Sequence, residues 1–461
     1  MKALNFTRTQ VLVLATIWLS FLLSFVVRLS WSTLMPIVNE AMQFTPLQGT
    51  SYVTAFYIGY ALMVLPGGII ADRIGYRKTI LFSLFSMALI TGLMSTITSY
   101  TMGWVLRLLL GLVSGPVQSS CLSAIGDHFS NFQRGTAVGI FMSCTSFGIF
   151  TVNLYAPTVA THYGWRMAFL VTAILPLLVL GMSYFTLVRA KKADHEIGQV
   201  ISERPARTVQ NMNGAYAVKG GEGVTTQKLL ESPAEQRTFG DGAEKSSVSV
   251  GAKQRRPEDI VGTSESTLWN NLKYLLTNRN IMLLAITGFF ATGTTWGVTN
   301  WTNLYMVKNL GVTSIFAGSV MTIYGLAALM VKPTIGILSD MLPIKKNHLA
   351  AICLFCFGPA LILFASTINP HMLYVTGAIL GIGAFMYSPL TNALVVQSAP
   401  SHLRGTTAGF VNLFNQMGSI TAPMILGSIL AYTGHYQTAL YTISVFPVVG
   451  SIVLLFVKLK K

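Results

Sequence analysis

Long apolar segments alternate with short polar ones over most of this chain, and one long polar stretch divides them into two groups. Each apolar segment is close to or above the ~20 residues that a helix needs to cross a bilayer. Six precede the polar stretch, at about 11–34, 48–70, 79–98, 101–125, 134–160 and 166–187, and six follow it, at about 281–304, 315–338, 348–367, 371–397, 404–431 and 437–457. The pattern predicts an all-α membrane protein with twelve transmembrane helices in two six-helix bundles.

The polar stretch, residues 188–280, is rich in Glu, Lys, Ser and Gly and poor in aromatic residues. Such a composition buries too little apolar surface to fold alone. We therefore predict a largely disordered cytoplasmic linker between an N-terminal bundle, 1–187, and a C-terminal bundle, 281–461. Helical apolar spacing from Leu268 to Leu272 leaves open a short helix on the membrane surface just before the seventh span.

Charge sharpens this picture, because only 10% of the residues are charged, against ~25% in soluble domains. The net charge of +16 does not indicate nucleic-acid binding, since the basic residues occupy alternate short loops. The basic residues on that one side are Lys2, Arg8, Arg73, Arg77, Lys78, Arg134, Lys345, Lys346, Arg404, Lys458, Lys460 and Lys461. By the positive-inside rule we expect a multi-pass protein of the cell (inner) membrane with both termini in the cytoplasm.

Two short motifs occur twice along the chain at nearly constant spacing. They are, in first and second copy, Gly68 with Asp72 and Gly336 with Asp340, and Arg134-Gly-Thr and Arg404-Gly-Thr. The offsets are 268 and 270 residues, so the halves are copies of one unit. Paired bundles of this kind are the architecture of secondary transporters, whose substrate site lies near the bilayer midplane between the repeats.

The stretch from Gly68 to Lys78 resembles the signature loop between helices 2 and 3 of the major facilitator superfamily. Arg107 with Gly111 and Gly115 resembles the fourth-helix motif of that superfamily, and the Gly-Trp-Arg run ending at Arg166 resembles its loop before helix 6. The resemblance covers the chain apart from the linker. It implies gating or conformational roles for Gly68, Asp72, Arg73, Gly75, Arg77, Arg107, Asp340, Arg134 and Arg404.

The gate motif has a physical rationale in its first copy. Asp72 can accept hydrogen bonds at a helix end, pair with Arg73 or Arg77, and meet the positive N-terminus of a helix from the other half. Such contacts close one side of the protein in one conformation only. The second copy has Met341 in place of Arg73, so the two gates are expected to be unequal.

Within the superfamily, the second span and Arg28 followed eight positions later by Pro36 resemble the anion:cation symporter family and the related organophosphate:phosphate antiporters. Those carriers use the helix 1 arginine for an anionic substrate. Tyr57 and Tyr60 share a helix face, and we expect them beside Arg28. The symporter family has an aspartate just before that arginine, where this chain has Val27, and a glutamate in helix 4 that is also missing here.

Three basic residues lie deep in predicted spans: Arg28, Arg107 and Lys332. A basic residue there costs ~2.5–3.5 kcal/mol and usually faces a cavity or a partner, yet no Asp or Glu lies well inside any span. We therefore predict a positive cavity in which Arg28 and Lys332, one from each half, bind an anionic substrate. Four polar residues of spans 7, 10 and 11 could orient its carboxylate or hydroxyl groups: Asn300, Asn392, Asn415 and Gln416.

The leading prediction is a secondary transporter that moves a small organic anion, a carboxylate or acidic sugar, by alternating access. An organophosphate/phosphate antiporter is the alternative, although residues 281–304 lack the second arginine that it usually needs, and a receptor that does not transport is a third candidate. The coupling ion is open between proton, sodium and none, since a proton could travel only on the substrate, on water or on Lys332. We expect a monomer in the lipid bilayer without enzyme activity, metal or cofactor.

Overall fold

The computed structural model describes residues 6–202, 265–400 and 403–458, and these form fifteen α-helices and no β-strand. The helices of the first half are α1 (Arg8–Ala41), α2 (Pro46–Ile74), α3 (Tyr76–Leu93), α4 (Tyr100–His128), α5 (Asn131–Tyr163) and α6 (Trp165–Ser202). A short helix, α7 (Glu265–Thr277), precedes the second half. The helices of that half are α8 (Arg279–Asn309), α9 (Ser314–Met341), α10 (Lys346–Ala365), α11 (Met372–Met386), α12 (Ser388–Ser398), α13 (Arg404–Thr433), α14 (Tyr436–Ile443) and α15 (Val445–Leu455).

Eleven helical segments of the described residues are long and apolar enough to cross a membrane. The remaining span is α2, whose 29 residues run parallel to α4 in close contact. The contact extends from Tyr52 beside Gly103 to Gly67 beside Pro116, so α2 crosses the same depth as α4. The prediction of an all-α membrane protein with twelve spans is confirmed.

Predicted span 10, residues 371–397, is two helices rather than one. The break falls at Tyr387, between α11 and α12. Pro389 has no N–H to donate to the carbonyl of Phe385, four residues earlier, and the Ser388 hydroxyl donates to that carbonyl instead, at 3.0 Å. Hydropathy alone did not reveal this kink. The twelfth span breaks in the same way at Ser444, three residues before Pro447.

The predicted disordered linker is partly helical where the structure describes it. Helix α6 continues to Ser202 instead of ending near 187, and α7 contains the short helix expected around Leu268 to Leu272. Residues 203–264 lie outside the described part of the chain. Two compact units divide at these places, one made of Met1–Ala190 and Asn271–Lys461 and the other of Lys191–Asn270.

The sequence duplication is present in the packing of each half. A Cβ atom at Gly111 of α4 would overlap the carbonyl oxygen of Phe56 in α2, and one at Gly381 of α11 would overlap the carbonyl oxygen of Tyr324 in α9. The two contacts occupy equivalent positions, 268 to 270 residues apart. Close approach of backbones at small residues is typical of membrane helices, which gain little from the hydrophobic effect in lipid.

The halves meet through equivalent pairs of helices as well. Gly318 of α9 packs against Pro157 of α5, and Gly427 of α13 packs against Thr50 of α2. Thr50 corresponds to Gly318 and Pro157 to Gly427 at the same offsets. The halves are therefore related by a pseudo-two-fold axis along the bundle, as in parallel-repeat transporters.

The two halves separate toward one end of the bundle. We call the end that carries Arg73 and Lys345 the basic face, and the other end the opposite face. Gly325 of α9 fits closely against Phe150 of α5. Eleven residues, or three helical turns, nearer the basic face, the same two helix faces carry Gly336 and Gly139, and a Cβ at either would have no atom within 4 Å. The bundle is thus packed near the opposite face and open toward the basic face.

We expect Gly111→Ala to destabilise the fold by ~1–3 kcal/mol, the usual effect of overpacking, because the new methyl group meets the Phe56 backbone. Gly126→Ala in the same helix is the matched control, since a Cβ there meets nothing within 4 Å. Thermal unfolding in detergent measures both, and equal melting temperatures would contradict the packing described here.

Candidate functional site

Arg28 lies in the middle of α1 and is only 3% exposed. Its guanidinium carbon lies within 4.4–6.0 Å of five aromatic ring centroids. The rings are those of Phe25, Phe56, Tyr57 and Tyr60 from the first half and Trp296 from the second. Such rings attract a cation through their faces, so Arg28 is held in an aromatic cage that both halves build.

The cage does not satisfy the hydrogen-bonding capacity of Arg28. The Nε and Nη2 atoms are buried and have no hydrogen-bond partner among the described residues. The hydroxyl of Ser24, one turn earlier in α1, is also buried without a partner. An unpaired buried charge is strongly unfavourable. The arrangement favours an anionic ligand with two acceptor atoms, since a guanidinium pairs well with a carboxylate.

Arg107 of α4 fixes the backbone that carries Arg28. It is 1% exposed, and its Nη2 donates to the carbonyl oxygen of Arg28 at 3.0 Å, while its Nε donates to that of Tyr52 at 3.3 Å. Its guanidinium also lies 4.9 Å from the Phe56 ring centroid. Arg107 is thus a structural hydrogen-bond centre between α1, α2 and α4.

Lys332 of α9 lies across the axis from Arg28 and is reached through two rings. Its Nζ donates to Thr145 Oγ1 at 2.6 Å and lies 4.7 Å from the ring centroid of Phe385. The Phe385 ring is 6.1 Å from that of Trp296, which is in the Arg28 cage. The two cations therefore flank one pair of aromatic rings, and each belongs to a different half.

A seam of polar side chains closes the site toward the opposite face. One turn beyond Arg28, Ser32 donates to the amide oxygen of Asn300, and the Asn300 Nδ2 is 3.4 Å from the Tyr57 hydroxyl. Asn153 Oδ1 accepts from Thr33 Oγ1 at 3.2 Å and from Asn303 Nδ2 at 2.9 Å. We call this set, Ser32, Thr33, Tyr57, Asn153, Asn300 and Asn303, the polar seam. Nearer the opposite face, Lys308 pairs with Glu40 at 3.0 Å, also between the halves.

The seam follows the internal symmetry of the chain. Ser32 and Asn300 are 268 residues apart, as are Glu40 and Lys308, which is the offset of the repeated glycine and aspartate motif. Helices α1 and α8 therefore face their own counterparts across the axis. At this offset the counterpart of Arg28 is Trp296, the cage residue of the second half.

Comparison with known proteins places this arrangement in a family. The model described as Major Facilitator Superfamily matches residues 17–423, with a further match over 305–461. The chain belongs to the Major Facilitator Superfamily. Its predicted resemblance to that superfamily is confirmed, and the twelve spans in two repeats are the architecture that membership implies.

Three similar proteins illustrate the range within the superfamily. The probable galactarate/D-glucarate transporter GudP of Bacillus subtilis (strain 168) is 25% identical over 84% of this chain and 78% of its own length. The membrane sensor protein UhpC of Escherichia coli (strain K12) is 23% identical over 96% and 91%. A crystal structure of a bacterial homolog of the human lysosomal transporter Spinster, inward-facing and occupied, shares the fold with a TM-score of 0.67 and 13% identity, covering 98% and 97% of the two chains.

The other residues predicted to bind substrate lie apart from the cage in the described contacts. Asn392 is exposed. The Asn415 amide packs on Gly288 within the second half, and its Oδ1 has no partner among the described residues. Gln416 is buried and its Nε2 lies 3.3 Å from Asn412 Oδ1. The structure therefore brings together Arg28, Tyr57, Tyr60 and Asn300, connects Lys332 through rings, and leaves these three at separate places.

The gate motif of the superfamily is described in part. Gly75 has a φ of 89°, a conformation that favours glycine, and it makes the turn between α2 and α3, while Gly68 lies in α2 near Ser119. Arg73 is exposed, and Arg77 Nε donates to the Tyr76 hydroxyl at 3.1 Å. The side chains of Asp72, Asp340 and Arg404 lie outside the described residues.

Arg134 binds the end of a helix within its own half. Its Nη2 donates to the carbonyl oxygen of Gly126 at 2.6 Å and its Nε to that of Phe129 at 3.0 Å. Both carbonyls belong to the C-terminal end of α4, where a cation is favourable. The gating role of this residue and of the motif as a whole stays a prediction.

Several residues of the site were not identified from the sequence. They are Phe25, Phe56, Gln118, Thr145, Asn153, Trp296, Asn303 and Phe385. Most are aromatic or small polar residues, which are ordinary in membrane helices. One signal was available, because adding the repeat offset to Arg28 leads to Trp296.

The polar seam gives a testable prediction. Asn153→Leu leaves the Thr33 and Asn303 donors unpaired, each at about 1–3 kcal/mol, so we expect a shift toward a conformation open at the opposite face. Spin labels at the exposed positions Tyr163 and Ile368, one in each half, should then show longer distances in pulsed electron–electron measurements. Thr151→Val is the control, since Thr151 bonds only the carbonyl of Phe147 in its own helix. Unchanged distances in Asn153→Leu would show that the seam does not hold this side closed.

Proposed function

We propose that this protein is a secondary transporter that binds a small organic anion, a sugar acid or a related carboxylate, at Arg28 and moves it by alternating access. The observation that carries the proposal is the buried guanidinium whose Nε and Nη2 have no partner among the described residues. A carboxylate supplies both the missing charge and the missing acceptors. The name of the relative GudP, a probable galactarate/D-glucarate transporter, supports the same substrate class.

The direction of access follows from the two ends of the site. The polar seam blocks the opposite face, while α5 and α9 separate toward the basic face. By the positive-inside rule the basic face is cytoplasmic, and both termini lie on that side. The described conformation is then inward-facing, and transport requires the seam to open as the basic face closes around the anion.

Lys332 provides a second contact for the anion from the other half. Its ammonium group has one hydrogen-bond partner, Thr145, and one ring, Phe385, and an ammonium has three donors. A ligand held by Arg28 and Lys332 together pulls the halves toward each other. Binding energy is in this way used for closure, which is the requirement for a ligand to shift a conformational equilibrium.

The cage also carries groups suited to a hydroxylated acid. The Tyr60 ring covers Arg28 at 4.4 Å, and its hydroxyl lies 3.3 Å from Oε1 of Gln118 in α4. A hydroxyl and an amide side by side can both donate and accept hydrogen bonds. We therefore propose that Tyr60 and Gln118 bind a hydroxyl group next to the carboxylate.

The similarity to the membrane sensor protein UhpC supports a second candidate, a receptor that binds the anion without moving it. Both candidates need the Arg28 site. Flux into proteoliposomes separates them, because only a transporter moves labelled substrate across the vesicle membrane.

Anion binding is tested by thermal stabilisation of the purified protein with D-glucarate, D-galactonate, succinate, glucose 6-phosphate, glucose and a cationic drug. A ligand at 100 times its Kd stabilises the native state by ~2.7 kcal/mol, so we expect a rise in Tm with sugar acids. Arg28→Gln should abolish the rise, and Lys332→Gln should weaken it most for dianions. Arg166→Gln is the matched control, since Arg166 is exposed on α6 beside the Trp165 ring.

Other outcomes of this panel would contradict the proposal. Stabilisation by glucose or the drug, undiminished in Arg28→Gln, would exclude an anion site at this arginine. Stabilisation by glucose 6-phosphate alone would favour the organophosphate alternative.

Hydroxyl recognition is tested with D-glucarate and adipate, the same six-carbon dicarboxylate without hydroxyls. Wild type should prefer D-glucarate. We expect Tyr60→Phe and Gln118→Leu each to reduce that preference about 3–10-fold, since one hydrogen bond contributes ~0.5–1.5 kcal/mol, with adipate affinity unchanged. Competition binding gives both dissociation constants, and an equal loss for the two acids would show that the pair supports the cage without reading hydroxyls.

A further inference from the structure

The charge inventory of the whole sequence limits how this site can be coupled to an ion. Outside the polar stretch 188–280 the acidic residues are Glu40, Asp72, Asp127 and Asp340, and each lies at or near the end of a span. The histidines outside that stretch also lie within a few residues of span ends. No carboxylate or imidazole is therefore available at the depth of Arg28, either to pair with it or to carry a proton beside it.

The described contacts show what the empty carrier must do to change conformation. Arg28 is enclosed by rings from both halves, and its Nε and Nη2 have no partner among the described residues. When the basic face also closes, water that could solvate the guanidinium is removed. Lys332 differs, because Thr145 accepts its hydrogen bond. The closed empty state therefore contains one bare cation.

We propose that this carrier is an anion exchanger, in which an anion must occupy Arg28 for the halves to pass through the closed state in either direction. The proposal rests on the proposed function and adds its mode of operation. The penalty for a lone arginine at the centre of a span corresponds to about 100-fold, or ~2.7 kcal/mol at 1.36 kcal/mol per tenfold in rate. The loaded carrier escapes this penalty because the substrate neutralises Arg28, so exchange is fast and net movement is slow.

Proteoliposomes with purified full-length protein test this mode. Uptake of labelled D-glucarate is measured into vesicles that are empty or loaded with unlabelled D-glucarate, with potassium and valinomycin holding the membrane potential at zero. We expect uptake at least 10-fold faster into loaded vesicles. Inward proton or sodium gradients imposed on empty vesicles should leave uptake unchanged.

A pair of variants at Ser24 tests the physical cause. Ser24 lies four residues before Arg28 on the same face of α1, and its buried hydroxyl has no partner among the described residues. An acid four residues before a base is the favourable arrangement for a helix ion pair. Ser24→Asp should neutralise Arg28 internally, so that the ratio of exchange to net uptake falls toward one. Ser24→Asn, of the same size without charge, should keep the wild-type ratio.

The outcomes separate this inference from the proposed function. Net uptake as fast as exchange in wild type, or accumulation driven by a proton or sodium gradient, would overturn the exchange mode while leaving the anion carrier intact. Equal ratios in Ser24→Asp and Ser24→Asn, with both proteins folded by thermal unfolding, would overturn the bare-cation explanation. No flux of D-glucarate or D-galactonate in any vesicle would overturn the transport function and the exchange mode with it.

Discussion

The structure depends on one unpaired positive charge in a membrane-embedded site. Arg28 lacks both an acidic neighbour and acceptors for two of its nitrogens among the described residues, and it is tolerated because aromatic faces attract it. Everything nearby serves to place this group: Arg107 holds its backbone, and Trp296 brings the second half to its side. A site built around a missing anion binds an anion, and this is why the substrate class can be argued from contacts alone.

Closure at one end and opening at the other follow from the same packing rules. Glycines allow the halves to touch closely near the opposite face, where Gly318 and Gly325 meet backbone atoms of α5. Toward the basic face the equivalent surfaces at Gly336 and Gly139 have no neighbours. Since packed interfaces have discrete rather than continuous arrangements, an alternate contact that uses these free surfaces is the natural counterpart of the described conformation.

Hydropathy and repetition were sufficient to predict the spans and the two bundles, because lipid requires long apolar helices. Charge in an apolar span was sufficient to find Arg28, and helical spacing to place Tyr57 and Tyr60 beside it. The kink at Tyr387 was missed because averaging over a window hides a single proline. Asn153 and Phe385 were missed because their residue types are common in membrane helices, and only three-dimensional contacts show that they face the other half.

The facing of α1 and α8 across the pseudo-two-fold axis has a consequence for how such a site can originate. In a symmetric dimer of identical six-helix chains, residues on the axis meet copies of themselves, so an arginine at this position would face a second arginine. Two like charges at that distance repel strongly in a medium of low dielectric constant. Fusion of the two genes removed the constraint, because each copy could then mutate alone. The pairing of Arg28 with Trp296 is a heterodimeric solution that only a single fused chain can encode.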